Sequence, residues 1–363
     1  MRKTFLKRAA FFCFALLFSC FFGFFTASNG AKKVVLAERN HGESCVVIER
    51  DSGRILFAEN AFDKKFMAST TKIVTAITVI ENCDLNAVVT VKNETVGVEG
   101  SSIYLEAGEK LSVKDLLYGL MLRSGNDAAE TLADYCGNGI ENFVVMMNET
   151  ARKVGATNSN FVNPHGLHND NHYTTAYDMA IITAYALKNE TFREIVSCRV
   201  KEIPWTTRGY NRRLVNKNKM LAEFEGATGV KTGFTKSAGR CLVSSCLRNG
   251  MELVCVVLNC PPMFEKSKKL LTAAFCDYKP RELVCADNVI GFVRRGNETE
   301  KIGVYIKSNI VLPMTDSEYE NCKIEYEYPK FLDASVKKDE EIGSVKIYCE
   351  NNLIFSQKIY TLI

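Results

Sequence analysis

Three short groups of residues in this chain carry side chains suited to nucleophilic catalysis. The first is Ser69-Thr70-Thr71-Lys72, where a serine precedes a lysine by three positions and an apolar run takes up helical spacing. On a helix that begins near Ser69 the two side chains share one face, and the helix dipole favours negative charge developing at the serine. A lysine among apolar neighbours can lose its charge and accept the serine proton. The pair therefore predicts a nucleophilic serine with a lysine base.

The other two groups lie further along the chain. Ser124-Gly125-Asn126 interrupts a helical pattern, at a place where short polar side chains can project into a cleft. Lys231-Thr232-Gly233 lies in a strand-like run, where a glycine lets a substrate backbone approach the strand. A Ser-x-x-Lys sequence by itself is common, and its ordinary interpretation is a serine helix cap with a surface lysine. All three groups in this order are typical of enzymes that form a serine acyl-enzyme.

The pattern of apolar residues indicates the elements that must position these groups. Two strand-like runs flank Asp51-Ser52-Gly53, which is a hairpin signal. Later strand-like runs carry Lys231 and then meet at Asn249-Gly250, a tight-turn signal, before a closing helix. Helical spacing extends over Val113 to Cys136 with its interruption, Gly139 to Val154 and Thr174 to Lys188. This order predicts an α+β fold in which a mixed sheet is flanked by a helical cluster.

The texture of the sequence changes near residue 280. The runs that follow are short, alternating and rich in tyrosine and β-branched residues, which predicts a small all-β domain. We therefore expect a catalytic domain over residues 31–279 and a β-rich C-terminal domain over 280–363.

Composition excludes several classes of protein. The chain has 363 residues, 47% hydrophobic and 24% charged, which is incompatible with a disordered protein. Its formal net charge of +4 is small, and Lys and Arg are spread along the chain, so nucleic acid is not an expected partner.

The N-terminus has the pattern of an export signal. Basic residues at positions 2, 3, 7 and 8 precede an apolar stretch from about Ala9 to Ala27, and small residues follow. The stretch is also long enough to remain as an uncleaved membrane anchor. We expect residues 1–30 to direct the protein out of the cytoplasm, to the cell wall or the outer face of the membrane. Membrane association, if any, is expected through this segment only.

The fourteen cysteines do not form a metal-binding pattern. Two lie in the N-terminal segment, several others fall in apolar strand-like runs, and no Cys-x-x-Cys pair occurs. Since a free cysteine packs as a small hydrophobic residue, most are expected to fill the core, with some disulfides left open.

The sequence resembles a known family along most of its length. MASTTKIVTA, GSSIYLEAGEKLSVKDLLYGLMLRSGNDAAETLA, NFVNPHGLHNDNHYTTAYDMA and GVKTGFTKSAGRCLV are similar to segments of the low-molecular-mass penicillin-binding proteins. These are serine-type D-alanyl-D-alanine carboxypeptidases of peptidase family S11. The resemblance covers about Val34 to Phe275. It implies a penicillin-binding, β-lactamase-like transpeptidase domain, built from an antiparallel sheet and a helical cluster, before a small all-β domain.

The resemblance also implies an activity. Ser69 would attack the carbonyl between the two terminal D-alanines of a peptidoglycan stem pentapeptide, and Lys72 would accept its proton. Ser124 would relay that proton to the leaving D-alanine. β-Lactam antibiotics would bind covalently as inhibitors, and no cofactor or metal is expected.

Substrate-binding roles are implied for a further set of residues. Asn126 would bind the substrate amide or Lys72, and Lys231 would hold the hydrogen-bonded network. Thr232 would bind the terminal carboxylate beside Gly233, and the backbone N–H of Phe234 would join that of Ser69 in an oxyanion hole.

The chain departs from the family pattern at the carboxylate site and at its end. Where the family often has an arginine for the substrate carboxylate, the sequence NKNKML offers Lys217, and Arg240 is a second candidate. Lysine supplies charge without the bidentate geometry of arginine. Many members finish with an amphipathic membrane helix, whereas this sequence finishes in a strand-like run, so no C-terminal anchor is expected.

Three alternative interpretations fit parts of the sequence. His165, His168 and His172 with Asp170 could suit zinc, but their Pro/Gly/Asn-rich loop has no helix to fix the ligands, so no metal is predicted. A class A-like β-lactamase shares the three motifs, and a non-catalytic cell-wall-binding protein could keep the fold. The first is disfavoured by Ser-Gly-Asn and the β-rich domain, and the second by the intact nucleophile and lysines.

Overall fold

The structure, a computed structural model, describes residues 42–286, 288–296 and 301–362. The predicted signal segment lies outside the described residues. In chain order the strands are β1 (Ser44–Glu49), β2 (Ile55–Glu59), β3 (Val88–Thr90), β4 (Lys110–Ser112), β5 (Val200–Trp205), β6 (Tyr210–Val215), β7 (Ala227–Thr235), β8 (Gly239–Arg248), β9 (Met251–Leu258), β10 (Lys279–Val284), β11 (Gly291–Arg295), β12 (Lys301–Tyr305), β13 (Ile310–Met314), β14 (Lys323–Glu327), β15 (Phe331–Leu332), β16 (Glu341–Cys349) and β17 (Asn352–Leu362).

The α-helices of the described residues are mostly short, and all but the last two lie in the first two thirds of the chain. They are α1 (Lys72–Asn82), α2 (Val113–Tyr118), α3 (Asn126–Gly137), α4 (Ile140–Lys153), α5 (Ala176–Ala186), α6 (Glu190–Ser197), α7 (Met220–Glu223), α8 (Met263–Asp277) and α9 (Asp316–Glu320). Two 3₁₀ turns (Ala68–Thr71 and Asn93–Thr95) and one π turn (Gly119–Arg123) complete the helical structure. Within the described part of the chain, no helix combines the length and the apolar character needed to cross a membrane.

An antiparallel five-stranded sheet separates two layers of core, and its strand order is β2-β1-β9-β8-β7. Strand β9 is buried along its whole length, as expected for a central strand covered on both faces. Its alternate residues Val254 and Val256 pack into the core of the helical cluster, while Leu253 and Cys255 pack into the core beneath α8. Strand β7, which carries Lys231-Thr232-Gly233, is an edge of this sheet.

Helix α1 lies in the middle of the helical cluster. Its residues from Lys72 to Val79 are all buried, in agreement with a segment that is apolar on every side rather than along one stripe. Only a helix surrounded by other elements has this pattern, and α1 contributes Ile73, Val74 and Ile77 to the main core. The lysine at its first position is therefore placed inside the protein.

The helical pattern over 113–136 is interrupted where the sequence predicted. Helix α2 runs into the π turn, and α3 begins at Asn126. Between them Ser124 adopts a left-handed conformation with φ +65°, which is uncommon for a residue with a side chain. This break ends one helix and starts the next within two residues, so Ser124 and Asn126 are held together at a junction of helices.

The C-terminal region is an all-β domain with one short helix. Its six-stranded sheet has the order β14-β16-β17-β12-β11-β15, and β10 pairs with β13. It has a separate hydrophobic core that includes Val304, Leu312 and Ile347. Helix α9 was not predicted from the sequence, although Thr315 and Glu318 form a capping box at its start.

The two domains contact each other through the turn of the first hairpin. Arg54 forms an ion pair with Glu318 and donates a hydrogen bond to the carbonyl oxygen of Pro313. Its guanidinium also lies 5.6 Å from the ring centre of Tyr278. The predicted α+β fold, with an antiparallel sheet, a helical cluster and a small β domain, is confirmed. The mixed sheet expected from the order of the elements is wrong, because every strand pairing in the five-stranded sheet is antiparallel.

Candidate active site

Ser69 lies in the 3₁₀ turn that leads into α1. The turn is held by its own side chains, because Thr70 Oγ1 donates to the carbonyl oxygen of Met67 at 2.7 Å and Thr71 Oγ1 donates to that of Ala68 at 2.8 Å. Ala68 has φ +48°, a strained conformation for alanine. Ser69 itself is half-buried, so the turn presents its hydroxyl at the surface of an otherwise packed helix start.

The side chain of Lys72 is fully buried and makes three close polar contacts. Its Nζ lies 3.2 Å from Ser69 Oγ, 2.7 Å from Asn126 Oδ1 and 2.7 Å from the carbonyl oxygen of His165. The amide and carbonyl oxygens can only accept hydrogen bonds. A neutral amine that donates to both of them therefore has its lone pair available to Ser69 Oγ.

Electrostatics favours this neutral form. Burial holds the pKa of Lys72 well below its ordinary value, and the positive charges of Lys231 and Lys217 lower it further, while Asp127 acts in the opposite direction. Desolvation and like charges both disfavour an ammonium group. A neutral amine 3.2 Å from Ser69 Oγ is chemically able to accept a proton from that hydroxyl.

Ser124 and Asn126 face the same space from the start of α3. Ser124 Oγ is buried and has no hydrogen-bond partner among the described residues. A buried hydroxyl left without a partner is costly, so this group is available for a hydrogen bond with a bound molecule. Asn126 is fixed on both sides, since its Nδ2 donates to the carbonyl oxygen of Glu99 and its backbone N–H donates to that of Ser101 at 2.7 Å.

Strand β7 lies directly against the nucleophile turn. A Cβ on Gly233 would stand 3.0 Å from the carbonyl oxygen of Met67 and 3.1 Å from the backbone nitrogen of Ser69. These separations are tighter than ordinary contacts, so a glycine lets the strand approach the turn closely. The next residue, Phe234, is exposed beside this point. Strand β7 and the nucleophile turn are therefore in close contact at Gly233 and Ser69.

Lys231 is buried at the centre of the site. Its Nζ donates to the carbonyl oxygen of Thr232 at 2.9 Å. Burial, followed by the charge of Lys217, lowers the pKa of Lys231 from 10.5 to about 7. At neutral pH the group is therefore divided between its charged and neutral forms.

The two candidates for the carboxylate clamp lie in different surroundings. Lys217 Nζ donates to Ser101 Oγ at 2.9 Å, and its backbone N–H donates to the carbonyl oxygen of Leu122 at 3.1 Å. Its charge acts on both Lys72 and Lys231. Partial burial and then Arg123 lower the pKa of Lys217 itself. The structure thus brings Lys217 to the site.

Arg240 lies on the neighbouring strand, opposite Phe234 in the register of β7 and β8. Its guanidinium carbon is 4.6 Å from the centre of the Phe234 ring, a cation–π contact, and the side chain is exposed. Arg240 is therefore exposed on β8, against an aromatic ring rather than among the buried lysines.

A loop from the His165 region supports the nucleophile turn from behind. Gly166 has φ +91°, and a Cβ there would stand 2.0 Å from the carbonyl oxygen of Ala68. Thr75 Oγ1 donates to the carbonyl oxygen of Pro164 at 2.6 Å. The loop is thus locked against α1, with the His165 carbonyl directed at Lys72.

The three histidines of this loop have separate partners. His165 Nε2 lies 2.9 Å from Glu130 Oε1, His168 Nε2 lies 3.4 Å from Asp170 Oδ1, and His172 Nε2 donates to Thr71 Oγ1 at 2.8 Å. Burial lowers the pKa of His172 to about 3, with smaller contributions from His165 and Lys72. These contacts serve the loop and the nucleophile turn, and the histidines are not among the groups of described residues that could share a metal ion.

Comparisons with known proteins agree with this geometry. The family model of the D-alanyl-D-alanine carboxypeptidases matches residues 31–261, and the model of the penicillin-binding protein 5 C-terminal domain matches residues 278–362. The chain belongs to the D-alanyl-D-alanine carboxypeptidase family. The family assignment made from the sequence is confirmed.

Relatives of this family match over most of their length. The D-alanyl-D-alanine carboxypeptidase DacF of Bacillus subtilis is 30% identical over 338 residues, covering 88% of this chain and 84% of the relative. DacC of Escherichia coli is 30% identical over 344 residues, covering 89% and 84%. The structure of penicillin-binding protein 5 from Haemophilus influenzae superposes with a TM-score of 0.77 at 28% identity, covering 88% of this chain and 96% of the other.

Several residues of this carboxypeptidase site were not singled out from the sequence. Asp127 accepts hydrogen bonds from Ser102 Oγ at 2.6 Å and from the backbone N–H of Ile103 and Leu105, so it holds the loop that carries Ser101. Its position directly after Asn126 was the available signal. The carbonyl oxygen of His165 has no such signal, because every residue carries one.

Proposed function

We propose that this family member is a serine-type D-alanyl-D-alanine carboxypeptidase that hydrolyses the terminal D-Ala-D-Ala bond of peptidoglycan stem pentapeptides. The observation that carries the proposal is the buried Lys72 amine, 3.2 Å from Ser69 Oγ, with its pKa well below the ordinary value. An activated serine is what separates an acyl-transfer enzyme from a wall-binding protein of the same fold.

Acylation begins when Lys72 takes the hydroxyl proton as Ser69 Oγ attacks the carbonyl between the two D-alanines. The backbone N–H groups of Ser69 and Phe234 stabilise the oxyanion, each contributing about 3 kcal/mol by the magnitude found for such donors. The C–N bond then breaks, and the proton passes through Ser124 to the nitrogen of the leaving D-alanine. The unpartnered, buried Ser124 hydroxyl supports this role.

Water then hydrolyses the ester on Ser69, the shortened peptide leaves as a carboxylate, and Ser69 regains its proton. A β-lactam would acylate Ser69 by the same attack on its ring amide. Since the leaving nitrogen of a β-lactam stays attached to the acyl group, the adduct blocks the site, which supports covalent inhibition by penicillins.

Recognition of the substrate carboxylate rests on a cluster of positive charge. Lys217 lowers the pKa of both Lys72 and Lys231, and Lys231 lowers that of Lys72, so the three side chains lie close enough for their charges to interact. A bound carboxylate supplies the opposite charge, with Thr232 as a hydroxyl donor. We assign the main ionic contact to Lys217, and a peripheral one to Arg240.

The predicted N-terminal signal and the nature of the substrate together support an extracytoplasmic location. Peptidoglycan lies outside the cytoplasmic membrane, so the enzyme would act at the cell wall or at the outer face of that membrane. Any membrane association would be made through the N-terminal segment.

The test is the release of D-alanine from a stem pentapeptide that ends in D-Ala-D-Ala, followed by mass spectrometry. The protein without residues 1–30 should remove one alanine, Ser69→Ala should remove none, and Ser317→Ala, an exposed serine of α9, should behave as the parent. EDTA should leave the rate unchanged. Absence of release from the parent, despite a stable penicillin adduct on Ser69, would mean that the acyl donor is misidentified. Rapid penicillin turnover without peptide cleavage would indicate a β-lactamase.

The carboxylate assignment needs its own comparison. Lys217→Gln should raise KM for the pentapeptide by about tenfold, the equivalent of ~1.4 kcal/mol, with a smaller change in kcat because the contact is made before and during reaction. Lys236→Gln, an exposed lysine after β7, is the control. A larger increase in KM for Arg240→Gln than for Lys217→Gln would show that Arg240, and not Lys217, makes the main ionic contact with the substrate carboxylate.

A further inference from the structure

A second cluster of reactive side chains lies on the α8 face of the sheet, away from the nucleophile. It consists of Glu43, Cys45 and Cys260, whose carboxylate and sulfur atoms all lie within 4.8 Å of one another. Both sulfurs are buried, with the two residues at most 1% exposed. Two thiols and a carboxylate converging on one point form a set of ligands rather than a hydrophobic filler.

Two segments bring these residues together, namely the start of β1 and the residues that follow β9. Cys45 lies in β1 and packs into the core beneath α8, opposite Glu59 in the register of β1 and β2. Cys260 follows β9 and is held by a hydrogen bond from its backbone N–H to the carbonyl oxygen of Arg240 at 2.8 Å. Glu43 immediately precedes β1. The register of the sheet therefore fixes the thiols, and the carboxylate closes over them.

A lysine of α8 covers the cluster. Lys266 Nζ lies 3.4 Å from Glu43 Oε2 and 3.1 Å from Glu59 Oε2, so one ammonium group bridges two carboxylates. The Lys266 side chain is 21% exposed. A rotation of this flexible side chain away from Glu43 would free the carboxylate for an ion.

We propose that Glu43, Cys45 and Cys260 bind one Zn²⁺ ion. Tetrahedral zinc with Zn–S bonds of about 2.3 Å places two sulfurs roughly 3.8 Å apart, and a sulfur and a carboxylate oxygen slightly closer. The observed limit of 4.8 Å is within a small side-chain movement of these values. Glu59, next to Cys45 in the sheet, or a water molecule completes four-coordination.

The charges of the site balance with the ion bound. Zn²⁺ replaces the two thiol protons, which leave to solvent, so the sum of charges over the ligands, Glu59 and Lys266 is unchanged. Lys266 keeps its contact with Glu59 and neutralises the excess negative charge. Because all protein ligands come from sheet-anchored positions, the site is structural and takes no part in acyl transfer.

A second thiol pair provides an internal comparison. Cys83 directly follows α1, Cys136 lies in α3, and the Cys136 thiol lowers the pKa of Cys83. Among the described residues, however, this pair is not part of a group of three ligands. If two neighbouring thiols were sufficient to bind zinc, both cysteine pairs would bind it. If the carboxylate of Glu43 is also required, zinc should bind only at Cys45 and Cys260.

The experiment measures zinc directly in the full-length protein. Protein purified with a non-chelating phosphine reductant is incubated with Zn²⁺, desalted and analysed for metal content, and Co²⁺ is used separately to follow thiolate-to-cobalt charge transfer. We expect one zinc per chain in the parent and in Cys83→Ser, and its loss in Cys45→Ser and Cys260→Ser. Glu43→Gln should weaken binding by at least about tenfold, since removal of an outer-sphere partner already costs that much.

Labelling of Ser69 by a fluorescent penicillin shows whether each variant is folded. Should the buried cysteine variants fail to fold, Glu43→Gln and the cobalt spectrum of the parent still decide the question. Zinc-free parent protein, equal zinc in parent and Cys45→Ser, or a Cys45–Cys260 disulfide in protein isolated without reductant would overturn the proposal. Failure of the peptidase assay would leave this result untouched, because Ser69→Ala should retain zinc.

Discussion

Burial of Lys231 lowers the free energy of unfolding of the protein, and this loss can be measured. The residue is 1% exposed, and its pKa is lowered from 10.5 to about 7, first by burial and then by Lys217. A difference of this size corresponds to about 5 kcal/mol between the charged and neutral forms. Replacing Lys231 by methionine, which has a similar length and no charge, should therefore stabilise the protein while it damages the site.

The sign follows from the protons bound in each state. In the unfolded chain the lysine holds its proton up to about pH 10.5, whereas the folded protein releases it near pH 7. Between these values the unfolded state binds more protons, so stability of the parent rises with pH across this window. At pH 7 nearly all of the penalty is present, roughly 4 kcal/mol, and above pH 10 it has almost disappeared.

Lys231→Met should consequently have a higher free energy of unfolding than the parent at pH 7. The expected gain is about 1–4 kcal/mol, the range found when buried charges are replaced by packed apolar side chains. The gain should shrink as the pH approaches 10. Acylation of Ser69 by penicillin should fall steeply in the same variant, because Lys231 belongs to the proposed catalytic network.

Urea unfolding of parent and variant at pH 7, 8.5 and 10 tests this reasoning, with fluorescent-penicillin labelling to report the site. Lys236→Met is the matched control, since Lys236 is exposed just after the same strand, and it should change neither quantity. A Lys231→Met protein that is less stable than the parent at pH 7 would refute the argument. So would a gain that is independent of pH, because the penalty would then not be the burial of charge.

Two further predictions concern the support of the nucleophile turn. Gly166→Ala should slow acylation of Ser69 and cost more stability than Gly97→Ala, because a Cβ at Gly166 meets the Ala68 carbonyl oxygen at 2.0 Å whereas one at Gly97 meets nothing within 4 Å. Both positions have positive φ, so Gly97→Ala isolates the backbone penalty of about 1–2 kcal/mol, and equal effects in thermal unfolding and acylation would contradict the steric explanation. His172 is buried with a pKa lowered from 6.5 to about 3, so the unfolded state takes up a proton first and stability is lost as the pH falls between these values. His172→Gln should flatten this acid dependence in urea unfolding and the exposed His168→Gln should not; a parent whose stability is constant from pH 6.5 to 4 would show that His172 is not the group concerned.

The spacing of Ser69 and Lys72 predicted their side-chain contact correctly, although the type of helix was predicted wrongly. The sequence predicted an α-helix starting near Ser69, but the serine lies in a 3₁₀ turn and α1 starts at Lys72. In a 3₁₀ turn, side chains three positions apart eclipse one another, so the pair meets at 3.2 Å even though the element differs. The chemistry was predictable because both kinds of helix bring this spacing to one face.

Other contacts of the site could not be predicted from residue types. Lys72 is positioned by the carbonyl oxygen of His165, 93 residues away in the chain, and Lys217 is positioned by its backbone bond to Leu122. Main-chain groups are present at every residue, so only the folded path of the chain selects these particular ones. The proximity of Cys45 and Cys260 was not predicted for the same reason, because the two residues become neighbours only through the pairing of β1 with β9.

The positive charges of Lys217 and Lys231 help to keep Lys72 neutral, but they also repel each other, and a bound substrate carboxylate can offset this repulsion. Lys72 must be neutral to act as a base, and the charges of Lys231 and Lys217 help to keep it so. Those same charges oppose folding, and Asp127 is the acidic group that acts against them at Lys72. A substrate carboxylate bound beside Lys217 and Lys231 would relieve their repulsion and raise their pKa values, whereas Lys72, held by Asn126 and His165, stays desolvated. On this reasoning the instability of the free site is what makes it selective for a peptide that ends in a free carboxylate.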